Sequence, residues 1–100
     1  MSAEIFHFRL FIAGNEPNSH LAEQNLRALC LAYLPARHHI EVIDVLKDFE
    51  AALQAKIMVV PAVLMIAPRP VTLFGTLTDT ARILAALGIN EGDHHDRSST

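Results

Sequence analysis

The chain has 100 residues, of which 51% are hydrophobic and 19% charged, and this composition is typical of a single domain with a buried core. The formal net charge is −3. Because acidic and basic residues are interspersed, no basic face is available for a nucleic acid backbone. The longest apolar runs are interrupted by proline and are shorter than the about 20 residues that a membrane span requires. We therefore expect neither nucleic acid nor membrane among the partners.

The amino terminus, MSAEIFHFRL, differs from a signal peptide. Glu4 stands where a signal peptide is basic, and His7 and Arg9 interrupt what would be its apolar part. The single cysteine, Cys30, has no second cysteine for an internal disulfide, which agrees with a reducing compartment. These features predict a cytoplasmic protein.

The first half of the chain predicts a strand, a helix and a strand. Residues 5–12 alternate with a period of two and present one apolar and one mixed face. After Pro17, with Ser19 as candidate N-cap, apolar residues recur at helical spacing up to Pro35, which ends the helix. Those residues are Ala22, Leu26, Leu29, Cys30 and Tyr33. Residues 40–46, IEVIDVL, predict a second strand, and a connecting helix implies that it runs parallel to the first.

The next segment predicts a short helix and two further strands. Asp48 is the candidate cap of the helix, and the β-branched run 57–66, which contains Pro61, predicts a third strand. Residues 71–74 predict a fourth strand. Because prolines fix the turn 67–70, a two-residue hairpin between these strands is not expected.

The last predicted element is a helix that begins at Thr78 or Asp79 and ends at Gly88, where a left-handed residue satisfies the final carbonyl groups. The resulting order, βαβαββα, predicts an α/β thioredoxin-like fold with two layers, helices over a mixed sheet, in residues 1–89. Val60-Pro61 stands where that architecture usually has a cis-proline. Residues 90–100 are polar and predict a flexible tail.

The chain offers little for catalysis. A reactive thiol needs a helix amino terminus to lower its pKa, whereas Cys30 lies on the apolar stripe of the first helix and is expected in the core. Ser19 has no evident base, and Asp44, Asp48 and Asp79 have ordinary explanations as strand ends or caps. We expect no catalytic residues and no cofactor.

The histidines give no metal site by spacing. Adjacent residues on a strand point to opposite faces, so neither His38-His39 nor His94-His95 is a natural two-ligand clamp. We expect the first pair in a solvated turn and the second in the tail, with no metal bound.

What remains is a surface. Pro68-Arg69-Pro70, with Met65 and Phe74 nearby, is a candidate rigid platform for a partner, and a simple turn with core neighbours is the alternative.

Three segments of the sequence resemble the KaiB family of the cyanobacterial circadian clock. LFIAGNEPNSHLAEQNLRALC is similar to the family's opening, L-Y-V-A-G-x-T-P-x-S. VIDVLKDFEAALQAKIMVVPAVL resembles V-I-D-V-L-K-x-P-x-L-A-x-x-x-K-I-x-A-x-P-T-L, and PRPVTLFGTLTD resembles P-x-P-x-R-x-x-x-G-D-L-S-D. The motifs keep their order and spacing over about residues 8–89.

The resemblance implies a non-enzymatic protein that docks on the ATPase KaiC and then sequesters KaiA. It also implies two folds, a ground state that assembles into dimers or tetramers and a monomeric thioredoxin-like state that binds KaiC, which differ mainly in the second half of the chain. The positions that match family motifs are candidate partner-binding residues. They are Gly14, Asn15, Pro17, Ser19, Asp44, Lys47, Lys56, Pro61, Pro68, Arg69, Pro70, Gly75 and Asp79.

The sequence departs from the family where Thr72 and Leu73 replace basic residues and Thr76 replaces an aspartate. Val60 and Ala62 also flank Pro61 differently. These changes indicate a divergent member of that family. The implied role is in a clock, a simpler timer or a stress response. A second class of function stays open, a thioredoxin-like adaptor or sensor module similar to the input domain of the KaiC-binding histidine kinase.

Overall fold

The structure, a computed structural model, describes residues 4–89. The predicted tail and His94-His95 lie outside these residues. The elements follow in the order β1 (Phe6–Ile12), α1 (Pro17–Tyr33), β2 (His38–Asp44), α2 (Phe49–Gln54), β3 (Ala62–Ala67), β4 (Val71–Phe74) and α3 (Thr80–Leu87). This order confirms the predicted βαβαββα arrangement. Among the described helices none is long and apolar enough to cross a membrane.

The four strands form one mixed sheet in the order β2-β1-β3-β4. β1 pairs with β2 in parallel, with Phe6 opposite His38 and Ile12 opposite Asp44. β1 pairs with β3 and β3 with β4 in antiparallel fashion. The parallel pairing and the mixed sheet are as predicted, and β1 is an inner strand because it pairs with β2 on one side and with β3 on the other.

One face of the sheet is covered by α1 and α3. Phe6, Phe8 and Leu10 of β1 pack there against the apolar stripe of α1 and the inner face of α3. The cluster of buried residues on this face also contains Val63, Met65, Leu77, Ile83, Leu84 and Leu87. Burial of α3 through these last three residues is as predicted.

The opposite face carries a smaller cluster. It consists of Phe11, Ile43, Ala52, Ile57 and Ala62, with Ala52 contributed by α2. Phe11 is opposite both Ile43 and Ala62 in the strand register, so these three side chains share a face. The sheet therefore carries helices on both faces, an arrangement that the two-layer prediction did not include.

The start of α1 differs from the prediction. Glu16 is the N-cap and Pro17 occupies the first helical position, where its missing N–H costs nothing. The Glu16 carboxylate accepts hydrogen bonds from the Ser19 backbone N–H at 3.0 Å and from the Ser19 hydroxyl at 3.1 Å. The prediction of Ser19 as the cap is wrong, because the helix begins before it. The end of α1 at Tyr33, ahead of Pro35, is confirmed.

Two strands begin at other residues than predicted. β2 extends back to His38 because Phe6 and His7 of β1 provide parallel partners for it, so the placement of His38-His39 in a turn is wrong. β3 begins only at Ala62, and residues 57–61 form an irregular connection that ends in a cis Val60-Pro61 bond. The proline lacks the N–H that the ladder would use.

The last elements agree with the prediction. Three residues connect β3 to β4, and Ala67-Pro68 is also cis. The Asp79 carboxylate caps α3 by accepting from the Arg82 N–H at 3.2 Å, and Gly88 ends the helix at a φ of 77°. Arg69 donates to the carbonyl oxygens of Leu87 and Ala86 at 3.3 and 3.2 Å. The guanidinium thus satisfies acceptors that the helix end leaves open.

A candidate partner-binding surface

The junction between β1 and α1 is closed by its own hydrogen bonds. The buried Ser19 hydroxyl accepts from the Ala13 backbone N–H at 3.1 Å and donates to Glu16. Gly14, at a φ of 53°, donates its N–H to Asp44 Oδ1 at 3.0 Å. In thiol-active proteins of this fold such a junction presents a cysteine, whereas the polar groups here bind one another and support the backbone.

Asp44 joins this junction to the beginning of α2. Its Oδ1 accepts from Gly14 and also from the Leu46 N–H, each at 3.0 Å. The hydrogen bond from Gly14, then that from Leu46, lowers the pKa of Asp44 below its ordinary value of 3.8. The Leu46 side chain lies over Gly14, since a Cβ added there would be 3.1 Å from Leu46 Cδ1. Asp44 therefore fixes where Leu46 is presented.

Exposed apolar side chains are concentrated between residues 46 and 59. Leu46, Phe49, Leu53, Met58 and Val59 make up what we term the α2 surface, and they are half of the large hydrophobic residues exposed within residues 4–89. Met58 is 87% exposed, Leu46 74% and Phe49 66%. Apolar exposure this concentrated is typical of a protein interaction site.

The packing of α2 explains this exposure. Ala52 faces the sheet, so Phe49 and Leu53, one turn apart, lie on the outer side of the helix. Asp48 caps the helix by accepting from the Ala51 N–H at 3.1 Å, as predicted. After the helix, Lys56 adopts a φ of 60°, and the chain buries Ile57 before it exposes Met58 and Val59. A short helix with a small inner residue leaves its large residues outside.

The structure gathers most of the family-motif positions at one end of the sheet. Gly14 and Asp44 are hydrogen-bonded there, and Gly75 donates its N–H to the Pro61 carbonyl at 3.0 Å. At this end, or on the segments that flank the α2 surface, lie Gly14, Asn15, Pro17, Ser19, Asp44, Lys47, Lys56, Pro61 and Gly75. Asp79 follows as the cap of α3.

The proline turn lies elsewhere. Pro68, Arg69 and Pro70 follow the carboxyl end of β3, at the opposite end of the sheet, and Arg69 binds the end of α3. Met65, predicted to lie near a platform, is fully buried, and Phe74 is at the far end of β4. The predicted platform is therefore not assembled, because alternation along β3 directs Met65 into the core.

Two further observations limit the chemistry of the described residues. Cys30 is buried in the main core, as predicted, and burial raises the pKa of its thiol to about 12. Between residues 4 and 89 no group of three or more His, Cys, Asp or Glu side chains could hold a metal ion. The sequence reasoning missed Leu46, Met58 and Val59, which it assigned to strands because apolar and β-branched residues surround them.

Comparison with known proteins agrees with this architecture. The SasA amino-terminal domain of Synechococcus elongatus superposes with a TM-score of 0.69 at 22% identity, covering 92% of this chain and 91% of that one. The germline-specific thioredoxin Deadhead of Drosophila melanogaster gives a TM-score of 0.66 at 17% identity, over 85% and 80% of the two chains. The fold is thioredoxin-like.

Sequence comparison is more specific. The KaiB domain model matches residues 9–89. The circadian clock oscillator protein KaiB of Gloeothece citriformis is 33% identical over 92 residues, which is 91% of this chain and 87% of that protein. The KaiB of Prochlorococcus marinus is 37% identical over 82 residues, 81% and 70% of the two chains. On this evidence the chain is a member of the KaiB family.

Proposed function

We propose that this protein is a regulatory binding protein that docks on a KaiC-like ATPase through the α2 surface, in a circadian clock, a timer or a stress response. The observation that carries the proposal is the concentration of exposed apolar side chains on α2 and the segments that flank it. Membership of the family supports this role over that of an adaptor of a histidine kinase. A KaiA-like protein is the candidate second partner.

The composition of the α2 surface supports a protein as its occupant. Aromatic residues and methionine are enriched in protein interfaces, and Phe49 and Met58 supply both. The exposed Lys47, Glu50 and Lys56 are neighbours of the apolar residues in sequence, and protein interfaces combine an apolar core with a polar rim. An interface of this kind gains its affinity from a few buried apolar anchors.

The proposed role involves no chemistry on a substrate. The buried Cys30 thiol stays protonated, and the polar groups of the β1–α1 junction bind one another. These features support a scaffold for binding, and they fit the non-enzymatic role that the family resemblance implies.

We further propose that the described fold is the binding-competent one of two. By family resemblance, the other is a dimeric or tetrameric ground state in which the second half of the chain is rearranged. Only the competent fraction would bind, so the apparent affinity for the ATPase would fall in proportion to that fraction. Backbone NMR of the free protein tests this, because a ground state would give non-helical chemical shifts over residues 80–87.

The docking surface is tested with a pair of matched truncations. Phe49→Ala removes an aromatic side chain from the α2 surface, and Leu31→Ala removes a side chain of nearly equal exposure, 69%, from α1. Binding to the KaiC-like ATPase encoded in the same genome is measured with each, with and without nucleotide. A central anchor contributes about 2 kcal/mol or more, so Phe49→Ala should weaken binding by about thirtyfold.

Leu31→Ala should bind as the unchanged protein does. Equal weakening by both variants would contradict the α2 surface as the docking site, whereas failure of the unchanged protein to bind in any nucleotide state would contradict the partner.

A further inference from the structure

Two histidines that are distant in sequence lie side by side on the sheet. The parallel register places His7 of β1 directly opposite His39 of β2, and their ring centroids are 5.7 Å apart with the planes tilted by 53°. Both side chains are exposed. They project from the same face because both belong to the alternate set that includes Phe11 and Ile43 further along the strands.

The neighbouring histidine is excluded from this pair. His38 is on the opposite face, where its Nδ1 is 2.8 Å from the Leu34 carbonyl oxygen. His38 and His39 are adjacent residues of β2, and adjacent residues of a strand point to opposite faces. The pairing of His39 with His7 depends on the strand register, which the sequence did not show.

The ring separation suits a shared metal ion. A zinc ion about 2.0–2.1 Å from one nitrogen of each ring lies about 3.2 Å from each ring centre, and a tetrahedral angle then separates the centres by about 5.2 Å. The observed 5.7 Å differs from this by an amount that small side-chain rotations supply. Imidazole nitrogen is a preferred ligand of zinc, copper and nickel.

Water has access to the two imidazoles, because both side chains are exposed. On the same face, one alternate position further along each strand, the Arg9 Nε and the Glu41 Oε1 form an ion pair at 3.2 Å. Arg9 and Glu41 compensate each other's charges, so this ion pair adds no net charge beside the two imidazoles. Since the described residues offer no set of three or more ligands, water would complete the coordination.

We propose that His7 and His39 form a surface site that binds one divalent transition-metal ion of the zinc or copper class, through one ring nitrogen of each residue. The bound ion joins β1 to β2 at the end of the sheet opposite the β1–α1 junction. Because the ligands come from two strands of the folded sheet, binding depends on the fold and stabilises it by mass action.

Calorimetric titration of the full chain with zinc chloride tests the site. Two additional histidines, His94 and His95, lie outside the described residues, so the reference protein carries His94→Ala and His95→Ala. We expect one ion per reference chain. Removal even of residues that only support a metal ligand costs 10- to 100-fold in affinity, so His7→Ala or His39→Ala should each weaken binding by at least about tenfold.

The matched control is His20→Ala, which removes an exposed histidine from α1 and should leave zinc affinity unchanged. Circular dichroism verifies that each variant folds. As a second readout, paramagnetic copper(II) should broaden the ring signals of His7 and His39 before those of His20. The proposal is overturned if the reference protein does not bind at millimolar zinc, or if the variants at positions 7 and 39 bind as tightly as the control.

Discussion

The face of the sheet that carries α1 and α3 and the face that carries α2 differ in how completely they are covered. On the first, a helix of 17 residues and one of 8 residues bury most of their apolar stripes against β1 and β3. On the second, a helix of 6 residues contributes one buried residue, Ala52, and the partly buried Ala51. The same strands thus support a large core on one side and a small one on the other.

This difference separates the residues that stabilise the fold from those that stay exposed to solvent. The large residues on the α1 and α3 face are buried, whereas Phe49 and Leu53 of α2 are exposed. Burial of apolar area contributes about 25 cal/mol per Å² to folding, and the exposed side chains of the α2 surface do not make that contribution. We infer that burial on the α1 and α3 face supplies most of the stability of the domain. The α2 side instead carries the exposed apolar residues of the α2 surface.

The largest expected effect compares truncations on the two faces. Leu26→Ala opens a cavity under α1, where many large side chains surround it, and should destabilise the protein by about 3–5 kcal/mol. Ile57→Ala opens one in the smaller cluster, where fewer large side chains surround it, and should cost about 2–3 kcal/mol. Urea unfolding monitored by circular dichroism measures both free energies of unfolding. If Ile57→Ala destabilised the protein as much as Leu26→Ala does, the two faces would contribute equally to its stability.

A smaller effect is expected at the end of α3, on the well-covered face. Gly88 has a φ of 77°, and a Cβ added there would lie 2.6 Å from Arg69 Nη1. Gly88→Ala should therefore cost about 1–2 kcal/mol, from the left-handed backbone and from the displaced guanidinium.

Arg69→Ala provides the control for this substitution. In that background the added methyl group displaces nothing, so Gly88→Ala should cost only the backbone part, about 1 kcal/mol. Thermal unfolding of the four proteins of the cycle measures the coupling. Equal costs in both backgrounds would show that Arg69 does not stabilise the end of α3.

Sequence reasoning recovered the fold because the elements have strong local signals. Alternation in β1, the stripe of α1, and the Asp79 and Gly88 limits of α3 all agree with the structure. The predicted boundaries of β2 and β3 differ from the observed ones because the ends of a strand depend on its partners. β2 starts where Phe6 of β1 provides a partner, and β3 starts after Pro61.

The candidate site was less predictable. The apolar residues of the α2 surface look like core residues in sequence, and a helix of 6 residues has too few turns for periodicity to identify its inner side. The His7 and His39 pair depends on the register of two strands that are far apart in sequence, which alternation alone does not determine. Both features arise from tertiary packing.

The smallest expected effect concerns the support of the α2 surface at acid pH. The hydrogen bonds from Gly14 and Leu46 lower the pKa of Asp44. A lowered pKa in the folded protein means that the ionised form stabilises the fold above the unfolded-state pKa, near 3.8, and that this contribution is lost as pH falls through the lower folded-state value.

Asp44→Asn keeps an acceptor oxygen but removes the charge, so its stability deficit should shrink below pH 3.8 and vanish in stronger acid. Asp44→Ala removes the acceptor as well, and its deficit should persist there, because a protonated Asp44 still accepts from Gly14 and Leu46. Urea unfolding at a series of pH values gives the three stability curves, and the carbon-13 shift of the Asp44 carboxyl group gives its pKa directly. A titration midpoint at or above 3.8 would show that the two backbone N–H groups do not hold the carboxylate, and Leu46 would then be positioned by packing on Gly14 alone.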